Sequence, residues 1–120
     1  MLSVVAGVSL AYDLSVGLLL LAAPGSLSSW FGVPLPNPLV FVRLNAVFLI
    51  AVGLGYWQPL QNPEGHRAYL WVFGPVLKGA GALVFATSYA AGDVPVSCLI
   101  FAATDGSLAL ATLVALLRRP

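Results

Sequence analysis

Four apolar runs divide this chain, each about the length needed to cross a hydrocarbon core of about 30 Å and each interrupted by one strongly ionisable side chain. The first, about 3–23, is stopped by Pro24-Gly25. The second, about 38–57, opens at Asn37-Pro38, a capping residue followed by proline at the first helical position. The third follows Asn62-Pro63 and covers about 66–91, with Pro75 inside it. That proline removes a backbone hydrogen bond and predicts a kink one turn before Lys78. The fourth, about 94–118, has Asp93 as its expected N-cap and Pro95 in its first turn. The pattern predicts an all-α membrane protein, an antiparallel bundle of four transmembrane helices forming one domain over residues 1–120. Residues 91–94 leave almost no loop, so spans three and four are expected to form a hairpin.

The connection over 24–36 carries no charge but holds Trp30 and Phe31 beside three serines, the composition of a short amphipathic helix lying in the membrane interface. Tyr56, Trp57, Tyr69 and Trp71 are expected to form an aromatic girdle at the opposite face. Arg67, Arg118 and Arg119 all fall on the side of the N-terminus, and the positive-inside bias then puts both termini in the cytoplasm. The first run does not read as a signal peptide, because no basic region precedes it and Asp13 interrupts it.

Composition agrees with this pattern. Hydrophobic residues make up 60% of the 120 and charged residues 8%, against about a quarter charged in soluble domains. The net charge of +1 offers no basic face for nucleic acid, and a single cysteine, Cys98, allows no internal disulfide. Cys98 reads as a packing residue and His66 as a turn residue, with no second ligand at metal-binding spacing. No phosphate loop, nucleophile elbow or haem-attachment motif is present, so nothing points to catalysis.

The four intramembrane charges, Asp13, Arg43, Lys78 and Asp105, sum to zero. Ions in hydrocarbon face inward and pair, and they are the first residues to consider for a site. Counted from the expected boundaries, Asp13, Lys78 and Asp105 lie near mid-membrane. Arg43 lies closer to the outer face, where its long side chain can either pair or reach the headgroups. Small residues flank three of the four: Ser9 and Gly17 beside Asp13, Gly74 and Ala82 beside Lys78, and Ala102, Ala109 and Thr112 beside Asp105. Ala103, Ser107, Ala111 and Ala115 repeat every fourth residue as a seam for close helix packing. The layer can serve as structural glue that fixes helix register. It can alternatively be a proton path, which two neighbouring cations disfavour, or a pocket in which Lys78 or Arg43 orients a polar head group. Tyr12, Asn45 and Thr104 lie at similar depth to support such a pocket, whose apolar walls would take a lipid, quinone or pigment tail.

Several short motifs occur in a specific order: Phe31-Gly32-Val33-Pro34, Val42-Arg43, Gly53-Leu54-Gly55-Tyr56, Asn62-Pro63, His66-Arg67, Lys78-Gly79 and Asp105-Gly106. In this the chain resembles small uncharacterised bacterial four-helix membrane proteins of a DoxX-like kind. The resemblance implies a four-helix bundle with an Arg, a Lys and an Asp at these places, and some DoxX relatives are linked to quinone-dependent oxidation. The expected protein resides in the bacterial inner (plasma) membrane. Two functions are expected: an accessory or assembly subunit docked to a membrane-protein partner or to another copy of itself, or a carrier or redox helper holding a lipophilic ligand such as a quinone. The expected discriminator is a cavity at the level of Lys78.

Overall fold

The computed structural model describes residues 1–36 and 38–118, and all regular structure among them is helical. Helix α1 (Leu2–Ala22) is followed directly by the short α2 (Pro24–Phe31), whose proline occupies the first turn. Helix α3 (Val40–Gly55) passes through Tyr56 into α4 (Trp57–Gln61). A 3-10 turn, Glu64–His66, leads to α5 (Arg67–Trp71), a π-helical turn at Val72–Val76, and α6 (Leu77–Ala90). A second 3-10 turn, Val96–Cys98, opens α7 (Leu99–Leu117). Joined end to end, these give four helices long and apolar enough to cross a membrane: Leu2–Ala22, Val40–Gln61, Glu64–Ala90 and Val96–Leu117.

Two helix starts differ from the sequence expectation. The second span begins at Val40, two residues after Pro38, with Leu39 as its cap residue; the expected cap Asn37 lies outside the described residues. Asp93 does not cap α7. Its amide instead bonds to the Ser88 carbonyl at 2.9 Å while Gly92, at φ 79°, bonds back to Tyr89 at 3.0 Å. These two bonds form a Schellman closure of α6, with glycine in the left-handed position where a Cβ would be strained. Asp93 is thereby committed to the preceding helix. Pro95 stays extended, and the last span starts at Val96.

The expected disturbance at Pro75 takes the form of the π turn. The Leu77 amide bonds to the Val72 and Gly74 carbonyls and passes over Phe73, whose carbonyl accepts the Tyr56 hydroxyl at 2.9 Å. Inserting one residue into the helical repeat in this way is a common means of absorbing a proline inside a long helix.

Packing is uneven along the bundle. At the end holding the N-terminus, Leu2, Val5 and Ala6 pack with Val52, Tyr56, Leu70, Ala115 and Leu116 into the main apolar core. Arg67 serves this end by donating to the Leu116 carbonyl at 2.6 Å, which satisfies an otherwise open acceptor in the last turn of α7. Tyr56 and Tyr69 belong to this core, not to an aromatic girdle. Tyr56 is fully buried and meets the half-buried Tyr69 edge-on at 5.1 Å, and the Tyr69 hydroxyl donates to the Val52 carbonyl. Trp57 and Trp71 remain exposed.

Glycines set how closely the helices approach. A Cβ on Gly53 would lie 3.0 Å from the Leu14 amide nitrogen, and one on Gly17 would lie 3.1 Å from the Ile50 amide nitrogen, so α1 and α3 touch nearly backbone to backbone. Gly74 meets Thr112 in the same manner. The seam expected on the last span is mostly turned outward. Ala115 is buried, whereas Ala103, Ser107 and Ala111 are exposed, because α7 meets the third span through Ala109 and Thr112. Replacing Gly53 with Val should cost about 1–3 kcal/mol of stability, since neither backbone can yield. Gly25→Ala, with open space around it, should change stability by less than about 0.5 kcal/mol. Thermal melts of the two variants in detergent check the contrast.

Candidate functional site

The apolar run of α1 leaves Ser9, Asp13 and Gly17 on its buried face, and the π turn leads directly into Lys78. The two ions meet. Lys78 Nζ donates to both carboxylate oxygens of Asp13 at 2.8 Å each, and neither residue is more than 4% exposed. The ammonium also stands 5.8 Å from the centre of the Tyr12 ring and 5.6 Å from that of Tyr56. Aromatic faces at this range stabilise a cation that has lost its water. The Ser9 hydroxyl, also fully buried, has no hydrogen-bond partner among the described residues.

Asp105 reaches the same region from α7. It is half-buried, faces the charge of Lys78 and lies beside the Tyr12 hydroxyl, but it takes part in no ion pair within 4 Å among the described residues. Tyr12 stands between Asp105 and Thr104: its hydroxyl lies beside the Asp105 carboxylate and shares a 2.7 Å hydrogen bond with the Thr104 hydroxyl, which also reaches the Ile100 carbonyl at 2.9 Å.

Arg43 does not join this group. It is exposed and forms no ion pair among the described residues. Two features account for its position. The helix starts at Val40, which leaves Arg43 in the first turn, and the face of α3 turned to the cavity carries Val42, Asn45 and Leu49, about 100–160° away around the axis. The layer of four charges expected from sequence is thus a group of three, with one base and two acids.

These three charges lie at the wall of a cavity of about 510 Å³ at the bundle end remote from the main core. Its other walls are almost wholly apolar, and α2 and the segment 33–36 contribute to them. Ser97 holds α2 in place by donating to the Phe31 carbonyl at 2.6 Å, and Ser28 donates to the Val33 carbonyl beyond the left-handed Gly32. Phe101 lies between Phe31, at 4.7 Å between ring centres, and Phe85, at 5.2 Å. Asn45 and the buried Cys98 also line the space, and Thr104 contributes through Tyr12.

Comparisons with protein-family models, with curated proteins and with solved structures find no match.

Sequence reading did not find the aromatic row, Tyr56 beside Lys78, or the part α2 plays in the wall. A phenylalanine among many apolar residues carries no mark of its partner. Tyr56 did carry one, since a tyrosine flanked by Gly55 and placed at the depth of the freed carbonyl before Pro75 is equipped to cross between two helices. Lys78→Met, which strands the Asp13 carboxylate, should destabilise the fold by about 3–5 kcal/mol. The double variant Asp13→Leu/Lys78→Met should recover most of that loss, and Arg43→Gln should stay within about 0.5 kcal/mol of the parent. Denaturation in detergent separates these cases, and a fully stable Lys78→Met protein would contradict the pairing.

Proposed function

We propose that this chain holds a lipophilic molecule between its helices, with the apolar part in the cavity and a polar head at Asp13, Lys78 and Asp105. The cavity at the level of Lys78 is the observation that carries this reading, because a bundle needing its charges only as glue has no use for 510 Å³ of apolar-walled space beside them. Its size falls within the range of about 300–1,000 Å³ in which small molecules are bound, and a few polar groups converging on an apolar pocket is the usual design. Lipid, quinone and pigment tails suit such walls. With a quinone the chain would act as a carrier or redox helper.

The reading places an antiparallel bundle in a bacterial inner membrane with both termini cytoplasmic. Support for the antiparallel order comes from the third and fourth spans, where Gly74 meets Thr112, Gly79 meets Ala109 and Gly106 meets Ala82. Arg67 and the exposed Arg118 at the N-terminal end support the orientation. The uncharged α2, with Trp30 65% exposed, supports an interfacial position for that helix. Membership among DoxX-like proteins rests on the motif order alone.

The second reading is an accessory or assembly subunit of a larger membrane complex, or a homo-oligomer. The outward face of Ala103, Ser107 and Ala111 favours it, since small residues let a neighbouring helix approach closely. Native mass spectrometry of the full chain, purified in mild detergent, separates the two. Binding predicts one retained lipophilic molecule per chain. Gly81→Leu should lose it, because a Cβ there already lies 3.4 Å from the Asp105 carboxylate and the longer side chain fills the space. Empty protein emerging in fixed ratio with larger subunits would overturn the binding reading in favour of the second.

A further inference from the structure

Given that the cavity binds a lipophilic molecule, the reading on which this step rests, its charge inventory selects the head group. The cavity wall carries one base and two acids. Lys78 is engaged by both oxygens of Asp13, which leaves its third N–H as the one donor it can still direct elsewhere. Asp105 has the Tyr12 hydroxyl beside it but no ion pair among the described residues. Arg43, the remaining intramembrane base, is not among the residues around the space. With Asp105 ionised, the site lacks one positive charge, and a bound cation is what would hold that carboxylate in its charged form where little water is present to screen it.

The walls next to Asp105 reinforce this preference. Phe101 lies one helical turn from it on α7, and with Phe31 and Phe85 it forms a continuous row of rings. Tyr12 adds a fourth ring on the side of α1. Ring faces attract cations and offer nothing to an anion, and carboxylates combined with aromatic walls recur where organic ammonium groups are recognised.

We propose that the cavity is a site for a lipophilic monocation, an organic ammonium or phosphonium with bulky apolar substituents, whose charge is neutralised by Asp105 and whose substituents lie against Phe31, Phe85 and Phe101. Asp105 provides the charge selectivity, while the Asp13–Lys78 pair maintains the fold around it. An acidic amphiphile is expected to bind more weakly, because beside an ionised Asp105 it would bring a second uncompensated negative charge into the space.

The test uses two probes of nearly the same shape and opposite charge, tetraphenylphosphonium and tetraphenylborate, bound to the purified full chain in nanodiscs. Saturable 1:1 phosphonium binding is expected, at least about tenfold tighter than that of the borate, a ratio worth about 1.4 kcal/mol. Asp105→Asn should remove that preference, Asp105→Glu should restore it, and the melting temperature of each variant reports that the fold is kept. Equal or tighter borate binding, or phosphonium binding unaffected by Asp105→Asn, would overturn the proposal. If neither ion binds but the protein retains a neutral lipid or quinone that Gly81→Leu releases, cation selectivity fails and the binding reading stands. If nothing occupies the cavity, both fail.

Discussion

The ion pair between Asp13 and Lys78 is the constraint to which the rest of the bundle is fitted. A single ion at this depth costs several kcal/mol or more, and the two are tolerable there only while they touch. Their contact fixes the height and rotation of the first span against the third. The surrounding sequence then meets that demand. Gly17 and Gly53 let α1 and α3 close nearly backbone to backbone, and Gly74 admits α7 one turn before Lys78. Tyr12 and Tyr56 flank the ammonium with their rings where water would otherwise stand. Removing the base alone leaves a bare carboxylate, so the pair is conditional in its effect on stability and far more costly to break than to replace.

Two halves of unlike character meet at this pair. Towards the N-terminal end the interior is filled by leucines, valines and the two core tyrosines; away from it the same four helices surround an open space. The π turn at Val72–Val76 belongs to the filled half and ends as the third span reaches Lys78. By passing over Phe73 it releases a carbonyl at a depth where an unsatisfied acceptor is costly, and Tyr56 crosses from the second span to take it. Pro75 thus acts less as a hinge than as the source of a link between helices.

Much of this arrangement was legible in the amino-acid order, and the remainder was not for identifiable reasons. Charges inside apolar runs stand out, so Asp13, Lys78 and Asp105 could be found, and their small neighbours gave the facing sides correctly. Arg43 stayed open between pairing and the headgroups because its depth depends on where the helix begins, and Asn37-Pro38 reads as a start although regular structure begins at Val40. Asp93 was misassigned because capping residues look alike before and after a turn, and Gly92 decides the matter by closing the preceding helix. A pocket at the level of Lys78 could be anticipated, but its size and its wall from α2 had no signature. It arises from how α2 lies relative to the spans, held by a serine-to-carbonyl bond between Ser97 and Phe31, 66 residues apart.

The separation of the ion pair along the chain has a consequence for biogenesis. Asp13 and Lys78 stand 65 residues apart, so the first span emerges during synthesis with its carboxyl group unmatched, and the second brings it no base, because Arg43 remains outside the group. An aspartate at mid-span opposes partition into lipid by about 2.5–3.5 kcal/mol. That opposition lasts until the third span has been made. The apolar side chains of the first span must outweigh that cost on their own, and its carboxyl group gains its partner only when the third span joins the bundle.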